Sequence, residues 1–150
     1  MLKRVLIYVL HLIVAAIVTT ALAIICSSQN VINSLVKSGA EVGLVDRIFV
    51  TFYDLLHFGS IYIFFVLAAF LVAFPSGSAL HKVARFGLPI IFVTAGAVAM
   101  LVMLKLASIR FFGVPIVGGA RDTIGLILQA LCGAAGGYVF HRLTLARGSA

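Results

Sequence analysis

Asp54 and His57 stand three residues apart, one turn of a helix, with Arg47 two turns before Asp54 on the same side. A carboxylate beside an imidazole can hold a proton or a cation, because imidazole changes charge near neutral pH and the acid favours its protonated form. The same three residues also suit a structural ion-pair cluster at a membrane surface, with Arg47 or a basic residue of the last loop neutralising Asp54. Arg47, Asp54 and His57 therefore form the candidate polar or ion site.

His11 and Gln129 lie inside apolar runs and are the candidate buried polar groups. His11 is expected to bond Tyr8, Gln129 or a backbone carbonyl. It reads as a structural histidine rather than a haem ligand, since no fixed spacing joins it to His81 or His141. Lys105, Arg110 and Arg121 gather with Asp122 near one boundary. There they either snorkel and pair with acids or contact an anionic lipid headgroup. No cofactor or metal is expected. The chain carries no paired-cysteine metal motif, no metalloprotease histidine-glutamate signature, no phosphate-binding glycine loop and no glycine-flanked serine nucleophile. A non-enzymatic protein is the resulting expectation.

The elements that must position these groups are dictated by composition. Hydrophobic residues make up 63% of the chain and charged residues 10%, and the apolar residues fall into four continuous runs. A hydrocarbon layer of about 30 Å is crossed by about 20 helical residues. Backbone groups in lipid must bond within the chain, and the runs lack the alternation of a membrane barrel strand. The expected fold is an all-α membrane protein, a bundle of four transmembrane helices. The spans are expected at about residues 4–26, 47–74, 87–106 and 122–142, in a single domain covering residues 1–150. The first run resembles a signal peptide, with Ala21 and Ala23 at cleavage spacing, but it is longer than a signal core and is expected to remain.

On the first span Arg4, Tyr8, His11, Ala15, Thr19, Ala23 and Cys26 form one small and polar stripe, the side expected to face other helices. Ser27 and Ser28 are expected to cap a separate, short interfacial helix through Val31, Ile32, Leu35 and Val36, ending at Ser38 and Gly39. The second span is expected to start near Asp46, to project beyond the membrane, and to stop at Pro75, Ser76 and Gly77. Gly113 and Pro115 break the last connection, leaving room for a re-entrant loop. Gly133, Gly136 and Gly137 are the candidate helix-packing residues, serving either contacts within the chain or a subunit interface. Ala95 and Ala99 offer a similar surface. Cys26 at the end of span one and Cys132 deep in span four are expected to lie at different depths, so a bridge between them is not expected.

A net charge of +7 would suit nucleic acid in a soluble protein, but the basic residues flank apolar runs and form no patch with stacking aromatics. Nucleic-acid binding is excluded on that ground. Lys3, Arg4, Lys82, Arg85, Arg142 and Arg147 share one side. They slightly outnumber Lys37, Arg47, Lys105, Arg110 and Arg121 on the other, which predicts cytoplasmic termini.

Ser28, Gln29 and Asn30, then Arg47, Thr51, Asp54 and Leu55, then Ala73 and Phe74, together resemble small uncharacterised four-span proteins of Gram-negative inner membranes. The resemblance covers most of the chain and implies topology and location, with no activity to transfer. The expected function is that of an accessory or assembly component of the bacterial inner membrane. It would work through helix faces and its outer surface, with membrane lipid and a second copy or another membrane protein as partners. The alternative is a small oligomeric channel or transporter using Asp54 and His57, or Gln129 along a central pathway.

Overall fold

The computed structural model describes residues 2–84, 87–110 and 117–148. The glycine- and proline-bearing loop centred on Gly113 and Pro115, and Arg85, lie outside the described residues. The described chain is all-helical: α1 spans Leu2–Lys37, α2 Leu44–Ala84, α3 Leu88–Arg110 and α4 Thr123–Gly148, with a single 3-10 turn at Gly118–Ala120 before α4. All four α-helices are long and apolar enough to cross a membrane.

Neighbours in sequence pack as neighbours in space, α1 on α2, α2 on α3 and α3 on α4, and α1 closes the ring on α4. Tyr8 near the start of α1 meets Phe140 near the end of α4. The start of α1 and the end of α4 therefore belong to one end of the bundle. The opposite end, here called distal, carries the α1–α2 connection and the start of α4.

The residues expected to form a separate interfacial helix instead continue α1 without a break. Ser27 and Ser28 do not cap anything, because their hydroxyls are engaged by neighbouring elements (Ser28 donates to Asp54, Ser27 accepts from the Gly119 N–H), so the backbone keeps its helical ladder. The helix ends where the sequence supplies a proper stop. Gly39 has φ of 95°, its N–H bonds the Val36 carbonyl and the Ala40 N–H bonds the Leu35 carbonyl, the paired closure of a left-handed glycine cap.

The expected stop at Pro75 is also corrected, since α2 runs through it to Ala84. Proline removes a single ladder bond, the one to the Leu71 carbonyl, which a helix of 41 residues carries; the nearby Ser76 and Ser78 hydroxyls donate to the Val72 and Phe74 carbonyls at 2.7 and 2.9 Å. Gly77 serves contact rather than termination. A Cβ there would meet Ile91 and Ala95 of α3 at 3.3 and 3.6 Å.

The core is graded along the bundle. Toward the chain termini Phe70, Phe74, Phe92 and Phe140 from three helices pack ring on ring, with Phe74 and Phe140 stacked at 4.3 Å. In the middle, glycines allow backbones to touch. Toward the distal end the contacts become polar.

Candidate functional site

The expected stripe on α1 does face inward, with Ala15, Thr19 and Ala23 wholly buried. Above it, Ser27 to Asn33 hold the distal end together. One step up α1 is matched by one step down antiparallel α2: Ser28 donates to Asp54 Oδ2 at 2.6 Å, Gln29 donates through Nε2 to Thr51 Oγ1 at 2.9 Å, and Arg47 Nη1 donates to Asn33 Oδ1 at 3.0 Å. Arg47 also reaches Gln29 Oε1 at 3.2 Å. On the other flank of α1, Asn30 Nδ2 donates to the Gly119 carbonyl and to Asp122 Oδ1, both at 2.9 Å. Gly119 sits so close to Ser27 that an added Cβ would strike both its backbone and its hydroxyl.

The candidate ion site is therefore rearranged. Asp54 turns to Ser28, and His57 turns away, exposed, with its ring stacked on Tyr53 at 4.1 Å and Nδ1 3.1 Å from the Tyr53 carbonyl. One helical turn did not join them, because Asp54 lies on the flank packed against α1 and His57 on the outward flank. Arg47 does not neutralise Asp54 either. Its guanidinium is held by neutral amide oxygens, leaving its positive charge beside a groove of about 330 Å³ lined by Gln29, Leu44, Ile48, Thr51 and Phe52. Such a groove suits an anionic group, not a cation. Replacing His57 by alanine is expected to change stability by no more than about 0.5 kcal/mol. Asp54→Ala, which orphans Ser28, is expected to cost about 1 kcal/mol. Unfolding of the two variants in mild detergent checks this order.

Asp122 was grouped by sequence with Lys105, Arg110 and Arg121. Those three are exposed at the distal end, whereas Asp122 caps α4, accepting the Gly125 N–H at 2.9 Å. That backbone bond, then the Asn30 amide, holds its carboxyl below the ordinary value of 3.8. The folded state thus binds this proton more weakly than the unfolded chain. The contribution of the cap is complete above pH 3.8 and is lost as pH falls through the lower folded value. Hydrogen exchange at Gly125 and Leu126 is expected to accelerate over that acid range, and Asp122→Asn is expected to remove the pH dependence.

Gln129 is 1% exposed and satisfied inside the chain: it accepts from Tyr62 Oη at 3.0 Å and donates to the Ala23 carbonyl at 2.9 Å. It bonds α1, α2 and α4 and does not meet His11. Tyr8 Oη is buried with no hydrogen-bond partner among the described residues, and His141 packs against Phe92. Among the described residues no group of three or more histidine, cysteine, aspartate or glutamate side chains is placed to hold a metal.

The three packing glycines serve two faces. Gly133 lies against the Gly96 carbonyl and Met100 of α3, Gly137 against the Phe92 carbonyl, and Gly136 against Thr19 of α1 and Phe70 of α2. These are contacts within one chain. The expected difference in depth of the cysteines is overturned: Cys26 and Cys132 have their sulfurs 3.8 Å apart. The depth argument ended the first helix at Cys26, but α1 continues to Lys37, and the cap of α4 is level with Asn30. Moreover, Cα–Cβ bonds tilt toward each helix's own N-terminus, so side chains on antiparallel helices converge across about a turn.

Gly96, Tyr62, Asn33 and the Ser27–Gly119 contact escape a reading of the sequence as separate spans. The signal that could have found part of the set is the unbroken polar run Ser27 to Asn30 inside an otherwise apolar helix. On a continuous helix its members necessarily address more than one neighbour. No protein family, curated protein or solved structure matches the chain.

Proposed function

We propose that this is a non-enzymatic, multi-pass protein of the bacterial inner membrane with cytoplasmic termini, acting as an accessory or assembly component through its distal α1–α2 hairpin. The observation that carries the reading is how far α2 outreaches α3. Ala107 near the end of α3 lines the same crevice as Phe58, so α2 from Leu44 to about Asp54 extends beyond α3. At about 1.5 Å per residue this is about 15 Å of helix. If the hydrocarbon covers α3, whose 23 residues already exceed its thickness, the projecting part stands above it.

That projection is not polar. Leu44, Ile48 and Phe52 follow one another at four-residue spacing, with Val45 and Phe49 beside them, and all are at least 62% exposed. Covering each such side chain is worth about 1.5–3 kcal/mol. Such a row outside lipid is the mark of a partner surface. The occupant it fits is an apolar helix of another membrane protein, which can continue from the bilayer along α2. The hydrogen bonds between α1 and α2 supply the rigidity that presentation requires.

A photo-crosslinking residue at Phe49 or Phe52 in cells is expected to yield a discrete protein adduct, while one at Phe64, 70% exposed in the middle of α2, yields lipid adducts alone. Identical lipid-only behaviour at all three positions would overturn the reading. So would ion flux through proteoliposomes of the purified protein that depends on Asp54 or His57, which would favour the channel or transporter.

A further inference from the structure

The chain has two cysteines, 106 positions apart in the sequence. The fold brings them together: Cys26 on α1 is half-buried, Cys132 on α4 is 5% exposed, both thiols are free, and the sulfurs are 3.8 Å apart. Ala23, one turn before Cys26, is bonded through its carbonyl to Gln129, one turn before Cys132. One turn above Cys26, Asn30 is tied to the cap of α4. A disulfide of about 2.05 Å would require the sulfurs to approach by about 1.8 Å and, since α1 and α4 run antiparallel from the Ala23–Gln129 bond, a slide of α1 along α4 that brings the two Cα atoms within bridging range.

We propose that Cys26 and Cys132 are a reversible dithiol–disulfide site that locks α1 to α4, with a membrane-soluble quinone as its oxidant. The oxidant class follows from position. Both residues lie within the stretches of α1 and α4 that are long and apolar enough to cross a membrane, nearer their middle than Asn30 and Asp122, where water-soluble disulfides do not concentrate but quinones do. This placement rests on α1 and α4 crossing the membrane.

Exposure assigns the roles. Cys26, the more accessible thiol, adds to a ring carbon of the quinone, and its proton passes to a quinone oxygen. The buried Cys132 sulfur then attacks the Cys26 sulfur. The S–S bond forms as the S–C bond breaks, and the bonding pair returns to the ring. The Cys132 proton completes the hydroquinone. Two thiols and one quinone thus give one disulfide and one hydroquinone, with two electrons and two protons transferred.

The test uses the full chain in lipid nanodiscs, treated with a short-chain benzoquinone in one arm and with water-soluble diamide in the other. The quinone arm is expected to give a chain lighter by two hydrogen atoms, both cysteines closed to alkylation, and a linked peptide pair containing Cys26 and Cys132. One hydroquinone is expected per disulfide formed in that arm, and dithiothreitol, after removal of the quinone, is expected to reverse all three changes. Diamide should act many-fold more slowly in nanodiscs than in detergent. Two alkylatable thiols after quinone, a lasting quinone adduct on Cys26, or linkage only between chains would each overturn the proposal. Equal diamide rates in nanodiscs and detergent would refute the quinone assignment. Cys26→Ser is expected to abolish linkage with an unchanged melting midpoint. If that variant does not fold, the linked peptide in the unaltered chain decides.

Discussion

Gly133→Leu is expected to open the bundle, lowering stability in detergent by about 3 kcal/mol or more, at the upper end of what overpacking costs. The reason is the kind of atom in the way. A Cβ at Gly133 would overlap the Gly96 carbonyl, a backbone group of α3 that cannot rotate aside, and would also meet Met100. Relief requires the two helices to separate, which withdraws Gly137 from Phe92 as well. In lipid this loss is not offset by water release, because acyl chains solvate an apolar helix face as well as a neighbouring helix does. Gly96→Leu is expected to have the same effect from the other side, with the double variant costing less than the two single losses added. Gly87→Ala is the control. Among the described residues its Cβ would find only Pro89, at ordinary contact distance, and a change within about 0.5 kcal/mol is expected. A Gly133→Leu chain that melts with the unaltered protein would show that this close approach does not hold α3 to α4.

Gln129→Leu is expected to cost about 1–2 kcal/mol, the range for a hydrogen-bonded polar side chain between membrane helices. The substitution keeps much of the volume and removes both bonds, leaving Tyr62 Oη buried beside an apolar group. Tyr62→Phe is expected to be destabilising too, since it orphans Gln129 Oε1. The two together should lose less than the sum, because the second change removes the group that the first left unpaired. Chemical denaturation in mild detergent, read as a double-mutant cycle, measures that coupling. Additive losses would show that the pair does not join α2 to α4 through this bond.

How much of the site was legible can be judged residue by residue. Asp54, Arg47 and Gln129 were singled out from the sequence because an ionisable or amide group inside an apolar run needs a partner. Their partners were not. Asp54 was assigned to His57 on local spacing, yet position around the helix axis gave it to Ser28 on α1. The neutral amides Gln29 and Asn33 carry no sequence signal as ligands of Arg47, since neither is charged and both follow the expected end of the first span. Gly133 and Gly137 were recognisable from their own spacing, but Gly96, their counterpart, sits singly among alanines and valines with no pattern of its own.

The amino-acid sequence by itself determined four long apolar helices and a stop at Ser38 and Gly39, because these depend on hydrophobic length and on bonds between residues a few positions apart; the cap of α4 at Asp122 is just as local but is seen only in the structure. It was not enough to end α1 at Ser28, whose hydroxyl is engaged by a neighbouring helix, or α2 at Pro75, where the helix continues past one lost ladder bond. Tertiary structure decided the vertical register and rotation of each helix, and with them that Cys26 meets Cys132, Gln129 meets Tyr62 and Arg47 faces a groove without an acid. Helix formation is local and nearly indifferent to rotation about its own axis; only packing against neighbours fixes that angle, and the identity of every long-range partner follows from it.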